Sequence, residues 1–464
     1  MTLIKSISGI RGTIGGDPGS GLSPVDVVKY ASAYGQWIRE CSKTSKLKVV
    51  TGRDARVSGE LIINLINSTL SAMGIDVVTL GLASTPTVEI AVVAENANGG
   101  IIVTASHNPA NWNALKLLDS RGEFLNATQG TRILALAEEG KFYFSDYSEL
   151  GVVKNNTDYD DRHIEMILQL ELVDVEAIRK AKFKVAIDTV NSVGGIILPK
   201  LLNRLGVKEV TGINLIPDGI FSHNPEPIPG NLQQIARLVT DSGSDLGFVV
   251  DPDVDRLAII SEDGTFFNEE YTLVACADYV LSKNPGNSVS NMSSSRALRD
   301  VTEKYGGKWS HSAVGEVNVV AKMKETGAVI GGEGNGGVIY PESHYGRDAL
   351  VGVALFLTLL AKREIKCTEL KKSLPQYTIS KNRVEVDENI DVDRLFELIE
   401  KEYKSNIVDR NDGLLIENNI GWVQIRRSNT EPIIRIYSEG RTIADADSLA
   451  AEIIKIVKRS TINN

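Results

Sequence analysis

At 464 residues the chain exceeds one compact core, and the usual domain size of roughly 100–200 residues predicts about three or four domains. With 42% hydrophobic and 24% charged residues and no low-complexity tract, it has a globular composition that argues against extensive disorder. A formal net charge of −10 gives no global attraction for nucleic acid or an anionic membrane, so an anionic substrate must be drawn by local clusters of Arg and Lys.

The N-terminal MTLIKSISGIRG lacks the apolar core of a secretory signal. Ser23-Pro24 reads as the N-cap and first position of a helix reaching about Glu40. LKVVTG (47–52) is a short β-rich run, and Ser58 is placed to cap a helix carrying Leu61, Ile62, Leu65, Ile66 and Leu70. DVVTLG (76–81) and GIIVTAS (100–106) add buried strands, and this βαβ rhythm predicts a mostly parallel sheet. The pattern restarts at KFKVAIDTVN (182–191), which echoes KLKVVTGRD (46–54) and points to duplicated α/β units. A third unit runs from about 258 to 368, opening on LAIISEDGTFF with Asp263-Gly264 as a hairpin turn. Its apolar run Leu350–Ala361 is too short to span a bilayer.

The tail differs. YTISKNRVEV, a helical stretch near 391–404, GLLIEN, GWVQIRR, PIIRIYS and a last helix at about 443–459 describe a helix-covered antiparallel sheet. The predicted fold class is α/β, with three related mixed-sheet α/β domains at 1–155, 156–257 and 258–368. A C-terminal α+β domain follows at 375–464, with active-site loops where the domains meet. Cys41, Cys276 and Cys367 are scattered and form no metal-spaced pair, which fits a reducing compartment; a cytoplasmic protein is expected.

Four loops carry chemistry. Thr104-Ala105-Ser106-His107-Asn108-Pro109 follows a strand end, where open α/β sheets present reactive groups. Its serine could accept a phosphoryl group, with Lys116 on the next strand-like run, although a polar turn ended by proline has the same composition. In Asp251-Pro252-Asp253-Val254-Asp255-Arg256, carboxylates at alternate positions supply the hard oxygen ligands Mg²⁺ requires, and the other reading is a solvated acidic turn. The EF-hand spacing is missing. Gly331-Gly332-Glu333-Gly334-Asn335-Gly336-Gly337 has neither dinucleotide nor Walker spacing; Glu333 and Asn335 can bond vicinal hydroxyls, or the segment is simply a flexible loop. Arg426-Arg427-Ser428-Asn429-Thr430-Glu431-Pro432, with Arg435 beyond, offers guanidinium, hydroxyl and amide donors suited to a phosphate, or an exposed hairpin turn. Together the four suit phosphoryl transfer, which needs positioning and charge neutralisation more than covalent machinery.

These motifs, in this order, resemble those of the α-D-phosphohexomutase superfamily over the whole chain. The similarity is greatest to its phosphoglucosamine mutase and phosphomannomutase/phosphoglucomutase branches. The resemblance implies three related α/β domains and a C-terminal domain around a central cleft. It makes Ser106 the phosphoserine, and Asp251, Asp253 and Asp255, with the phosphate on Ser106, the ligands of one Mg²⁺ per chain. GEGNGG resembles the sugar-specificity loop and RRSNTEP the phosphate-binding loop. Ser8-Gly9-Ile10-Arg11-Gly12 is similar to the loop whose arginine contacts the phosphoserine, with Ser6-Ile7 where Gly-Thr is usual. Asn113-Ala114-Leu115-Lys116 matches the segment that places a lysine near the reacting hydroxyl. Gly337 stands where many relatives carry histidine, and Asn335 where serine is more common.

The implied reaction converts a hexose 6-phosphate to a hexose 1-phosphate through a 1,6-bisphosphate, which also serves as activator. Glucosamine 6-phosphate to glucosamine 1-phosphate is the expected conversion, and phosphomannomutase/phosphoglucomutase activity the alternative. Arg426, Ser428, Asn429, Thr430 and Arg435 would grip the non-reacting phosphate, Glu333 and Asn335 the ring hydroxyls. Lys116, if its pKa is depressed, or His107 would handle the hydroxyl proton. A hinge is expected at 366–378, with Lys371, Lys372 and Pro375, because a phosphoserine open to water would hydrolyse. The rivals are a phosphatase and a non-catalytic sugar-phosphate-binding regulator. The partner is a hexose phosphate, with no nucleic acid and no membrane, and the protein is expected as a monomer or homodimer.

Overall fold

Ser23 and Pro24 open the helix Pro24–Cys41 in the way their residue types dictate. The Ser23 hydroxyl accepts from the Asp26 backbone N–H while the Asp26 carboxylate accepts from the Ser23 N–H, a reciprocal capping box. The helix expected after Ser58 runs Gly59–Ala72, but Ser58 makes no capping bond. Its backbone is already helical (φ −75°, ψ −11°), so its hydroxyl instead accepts from Asn113 Nδ2 at 3.0 Å. The computed structural model describes residues 1–6, 9–386, 392–427 and 433–462.

Two compact units are present: residues 1–272 with 335–371, and 273–334 with the chain from 372 onward. In the first unit, strands β1 (Leu3–Ser6), β2 (Gly9–Thr13), β3 (Leu47–Arg53), β4 (Ile75–Leu82), β5 (Gly99–Val103), β6 (Trp112–Leu118) and β7 (Val153–Asn155) form one sheet in the order β1-β2-β6-β5-β3-β4-β7. Strand β3 is parallel to β4 and β5, and β4 to β7. The pairs β1/β2, β2/β6 and β5/β6 are antiparallel. The sheet is therefore mixed rather than mostly parallel. The physical reason lies between β5 and β6: the short loop 104–111 cannot make the crossover that a parallel return requires. Side chains alternate across the sheet, so Val49, Ile101 and Leu115 pack against Ile66, Leu70 and Tyr34 on one face. Val50 and Ile102 meet Val88 and Val92 of helix Thr85–Ala94 on the other. Each such burial stabilises by about 1.5–3 kcal/mol.

The same unit holds β8 (Lys184–Asp188), β9 (Glu209–Ile213), β10 (Leu246–Val250) and β11 (Leu257–Ser261), ordered β11-β10-β8-β9. Strand β8 is parallel to both its neighbours, and β10 and β11 are antiparallel. Residues 257–261, which read in the sequence as the opening of the third unit, thus close this second sheet. The turn at Asp263-Gly264 forms as expected, with Gly264 at φ 79° and its N–H donating to Ser261 O at 2.9 Å. The apolar run near 350–361 is the helix Ala349–Arg363, buried on all sides, with Phe356 edge-on to Phe248 and Phe267. Among the described residues no helix is long and apolar enough to cross a membrane.

In the second unit, β12 (Asn287–Asn291), β13 (Trp309–Ser312) and β14 (Ala328–Glu333) pair in parallel, ordered β13-β12-β14. The short β15 (Gly337–Ile339) belongs to the first unit. Then β16 (Thr378–Glu385), β17 (Ile407–Asp409), β18 (Leu414–Glu417), β19 (Gly421–Arg427) and β20 (Ile433–Gly440) form the antiparallel sheet β16-β20-β19-β18-β17. Leu395 and Ile399 of helix Val392–Tyr403 and Ile453 and Val457 of helix Ile443–Ile462 pack on its Ile425 and Ile436. The elements expected in the tail are all present.

Candidate functional site

Strand β5 ends at Val103, and the loop beyond it is held from beneath by one buried guanidinium. Arg56 donates to the carbonyls of Ser106 (2.5 Å), Asn108 (2.6 Å), Pro109 (2.6 Å) and Trp112 (3.0 Å). Its Nε donates to Asp54 Oδ2 at 3.0 Å, and Thr104 Oγ1 donates to the same oxygen at 2.7 Å. The Ser106 N–H in turn donates to Thr104 Oγ1 at 2.9 Å. Held this way, Ser106 sits at φ 48°, a left-handed conformation costing a non-glycine residue of order 1–3 kcal/mol. The strained turn aims its hydroxyl across the two sheets of the unit, where Oγ donates to Asp251 Oδ2 at 2.8 Å.

Asp251 begins the loop after β10, and Asp251, Asp253 and Asp255 are all fully buried. One oxygen from each lies within 4.8 Å of the others. The loop is closed by the Asp255 and Arg256 N–H groups, both 3.1 Å from Asp251 Oδ1, with Val254 forced to φ 61°. Asp253 Oδ2 accepts from Thr85 Oγ1 and Lys116 Nζ, both at 2.7 Å, and Asp255 Oδ2 accepts from Arg347 Nη2 at 2.6 Å. The Oδ1 atoms of Asp253 and Asp255 are buried without a hydrogen-bond partner. Buried carboxylate oxygens are costly unless paired or coordinated, so this donor set fits a hard divalent cation.

Electrostatics divide the cluster. Burial, then repulsion from Asp255 and Asp253, pushes the Asp251 carboxyl well above its usual range. Burial would do the same to Asp253, but the Lys116 ammonium overrides it and holds this carboxyl below the usual range. The reciprocal effect corrects one expectation. Burial tends to lower Lys116, yet Asp253 and Asp255 outweigh it and raise the pKa, so the site stabilises the ammonium. His107 is driven well below its ordinary value by Arg256, burial, Arg11 and Arg347, which keeps it neutral. Arg11 Nη1 donates to Asn108 Oδ1 at 3.0 Å, so its guanidinium reaches the serine loop. Arg256 Nε lies 3.9 Å from both Asp251 Oδ2 and Asp255 Oδ1.

Comparison with known proteins decides the lineage. Residues 3–144, 161–264, 268–377 and 382–456 match, in order, the α/β/α domains I, II and III and the C-terminal domain of phosphoglucomutase/phosphomannomutase. The chain belongs to the phosphoglucomutase/phosphomannomutase family. It is thus an α-D-phosphohexomutase, an isomerase working by phosphoryl transfer. It is 37% identical over 443 residues (95% of this chain, 96% of the other) to a phosphoglucomutase/phosphomannomutase of Thermococcus kodakarensis. It is 32% identical over 466 residues (99% and 100%) to a phosphoglucosamine/phosphogalactosamine mutase of Sulfurisphaera tokodaii. A crystal structure of a phosphoglucomutase/phosphomannomutase family protein from Burkholderia thailandensis superposes with a TM-score of 0.83 at 26% identity, covering 98% of both chains.

The remaining residues expected at the site of this phosphohexomutase divide between the two units. Glu333, at the end of β14, is buried, and its Oε1 accepts from Asn291 Nδ2 (2.8 Å) and the Gly315 N–H (3.0 Å). In the first unit, Asn335 Oδ1 accepts from the Gly337 N–H at 3.2 Å. A Cβ at Gly337 would lie 2.3 Å from Arg347 Cδ, so the glycine makes room for the arginine that binds Asp255. Arg426 pairs with Asp412 at 3.6 Å and lies opposite Arg435 in the β19/β20 register. Arg435 in turn lies opposite Arg383 on β16, giving three guanidiniums in register across adjacent strands. Like charges so placed repel, which suits an anion. Ser428, Asn429 and Thr430 lie outside the described residues. The sequence reading missed Arg56, Thr85, Arg347 and Arg383, and gave Arg256 no role although it closes the Asp motif. Arg56 binds carbonyls some 50 residues on and Thr85 and Arg347 bind aspartates far along the chain, so no local signal marks them.

Proposed function

We propose that this phosphohexomutase interconverts hexose 6-phosphate and hexose 1-phosphate through phosphorylated Ser106 and a hexose 1,6-bisphosphate, with glucosamine 6-phosphate as the preferred substrate. The observation that carries the reading is the Ser106 hydroxyl, 2.8 Å from Asp251 in a buried cluster that also holds Lys116. The P–O bond to Ser106 breaks as a P–O bond forms to the free sugar hydroxyl, whose proton passes to His107, which its cationic neighbours keep neutral, since Lys116 is held as the ammonium. After the bisphosphate turns around, Ser106 recovers a phosphoryl group from its other end. Asp251, Asp253 and Asp255, with the Ser106 phosphate, would hold Mg²⁺, which would supply neutralisation of the transferring charge. Arg56 fixes the serine turn, and Arg11 and Arg256 add positive charge beside it. Glu333 and Asn335 are assigned to ring hydroxyls, and Arg426, Arg435 and the 428–430 segment to the non-reacting phosphate.

The substrate assignment draws on relatives. Besides the Sulfurisphaera protein, a probable phosphoglucosamine mutase of Methanopyrus kandleri is 32% identical over 456 residues. The 37% identical Thermococcus protein keeps glucose and mannose phosphates as the alternative. The test is ³¹P NMR on purified protein with Mg²⁺ and a trace of hexose 1,6-bisphosphate, offered glucosamine, mannose and glucose 6-phosphates beside a Ser106→Ala variant. A 1-phosphate that requires Ser106 is expected, fastest from glucosamine 6-phosphate. Inorganic phosphate alone would indicate a phosphatase, binding without turnover a regulator, and an active Ser106→Ala protein would end the phosphoserine reading.

A further inference from the structure

Each outer ligand carboxylate of the Asp cluster has one oxygen fixed by the protein and one left bare. Asp253 Oδ2 is held by Thr85 and Lys116, and Asp255 Oδ2 by Arg347, while both Oδ1 atoms are buried without a hydrogen-bond partner, with Arg256 Nε 3.9 Å from that of Asp255. The direction of the bare oxygens therefore depends on where Thr85 and Arg347 stand. Thr85 opens helix Thr85–Ala94, and its backbone N–H also donates to Asp253 O at 2.9 Å. Arg347 immediately precedes Asp348, the N-cap of helix Ala349–Arg363, and the Ala349 N–H donates to Val254 O at 3.2 Å.

These two helix starts are joined by polar groups that the proposed chemistry does not use. Asp348 Oδ2 lies 2.8 Å from His163 Nε2 and 3.2 Å from His344 Nε2, while its Oδ1 accepts the cap bonds from Leu350 and Val351 N–H. His163 Nδ1 continues to Thr87 Oγ1 at 3.0 Å, and His344 Nδ1 to Glu89 Oε2 at 3.3 Å. Thr87 and Glu89 belong to the helix that Thr85 begins, so the chain closes a ring between the supports of Asp253 and Asp255. Burial would lower His344, but its bonds to Asp348 and Glu89 hold it at about 10, an imidazolium between two carboxylates. A Cβ on Gly346 would lie 1.9 Å from Glu89 Oε2, so the backbone also approaches this ring closely.

We propose that the buried chain Thr87–His163–Asp348–His344–Glu89 is a positioning element for the metal loop, fixing the spacing of Thr85 and Arg347 and thereby the aim of the free oxygens of Asp253 and Asp255. It rests on the reading of the three aspartates as the metal centre. Second-layer groups of this kind typically change metal affinity by about 10–100-fold when removed.

The test is Mn²⁺ binding to the full chain, read by the loss of the free-ion EPR signal, for wild type and His344→Gln, alongside kcat and KM with a hexose 6-phosphate. Expected is a Mn²⁺ dissociation constant weakened at least tenfold, with KM within about twofold and His344→Lys, which retains the charge but not the bidentate ring, failing to restore affinity. Should His344→Gln not fold, Thr87→Val, which cuts the outer end of the chain, is read in the same way. Wild-type affinity in a folded His344→Gln or Thr87→Val protein would overturn the inference. A wild-type protein that binds no Mn²⁺ would instead overturn the metal reading on which it stands.

Discussion

The serine loop shows how much can hang on one side chain. Arg56 is fully buried, ion-pairs with Asp54 and satisfies four carbonyls of a turn whose central residue is strained. Removing one partner of a buried pair typically costs about 3–5 kcal/mol, because the remaining charge is left uncompensated. Arg56→Met is therefore expected to lose about that much stability by urea unfolding, and to lose most of its turnover because the turn bearing Ser106 relaxes. Arg56→Lys keeps the charge but not the planar fork, so it should fall between the two. An Arg56→Met protein within about 1 kcal/mol of wild type would show that the turn holds itself. Val254 makes a related point: a buried β-branched residue held at φ 61° is in a conformation that costs a non-glycine residue of order 1–3 kcal/mol, so the packed loop imposes it.

At the scale of elements, the second unit has its own buried ionisable joint. Glu439 on β20 accepts at Oε1 from the Arg296 N–H and from Trp422 Nε1, both at 2.9 Å. Burial raises this carboxyl to about 7, although hydrogen bonds from Ser295, Arg296 and Trp422 oppose the rise. The folded state thus binds a proton more tightly than the unfolded chain, whose carboxyl titrates near 4.5. Stability from this group is complete below the unfolded value and is lost as pH rises through about 7, a change of about 3 kcal/mol. Glu439→Gln should flatten the pH dependence of unfolding between pH 4.5 and 7.5, as read by chemical denaturation at fixed temperature. A slope identical to wild type would show that other groups set it.

For the whole molecule, the division into two units predicts calorimetry with two transitions, since each has its own core. The Asp cluster lies wholly in the first unit. Mg²⁺ at a hundred times its dissociation constant should stabilise that unit by about 2.7 kcal/mol and leave the other transition in place. EDTA should reverse the shift and abolish turnover together. Equal movement of both transitions, or of neither, would contradict this placement. The expected hinge at 366–378 bears on the same division. Thr368 Oγ1 bonds Glu262 and Lys371 Nζ bonds Phe266 O, with Cys367 and Leu370 buried, so its first half is fixed in the first unit. The chain passes to the second unit at 371–372, within the expected segment.

The sequence alone determined features whose cause is local or chemically conspicuous. Ser23-Pro24 dictated a cap, Asp263-Gly264 a turn, alternating apolar runs the strands, and the four loops a phosphoryl-transfer family. Tertiary structure decided what depends on neighbours brought from far along the chain. It paired Ser106 with Asp251 across 145 residues and Lys116 with Asp253 across 137, reversing the expected shift of Lys116 because an ammonium between carboxylates gains more than burial costs it. It turned Ser58 from cap to cross-link and brought Arg56, Arg347 and the His163–Asp348–His344 chain to bear on the reactive loops. No local pattern marks such residues, because burial and partnership are properties of the packed core and not of the residue type.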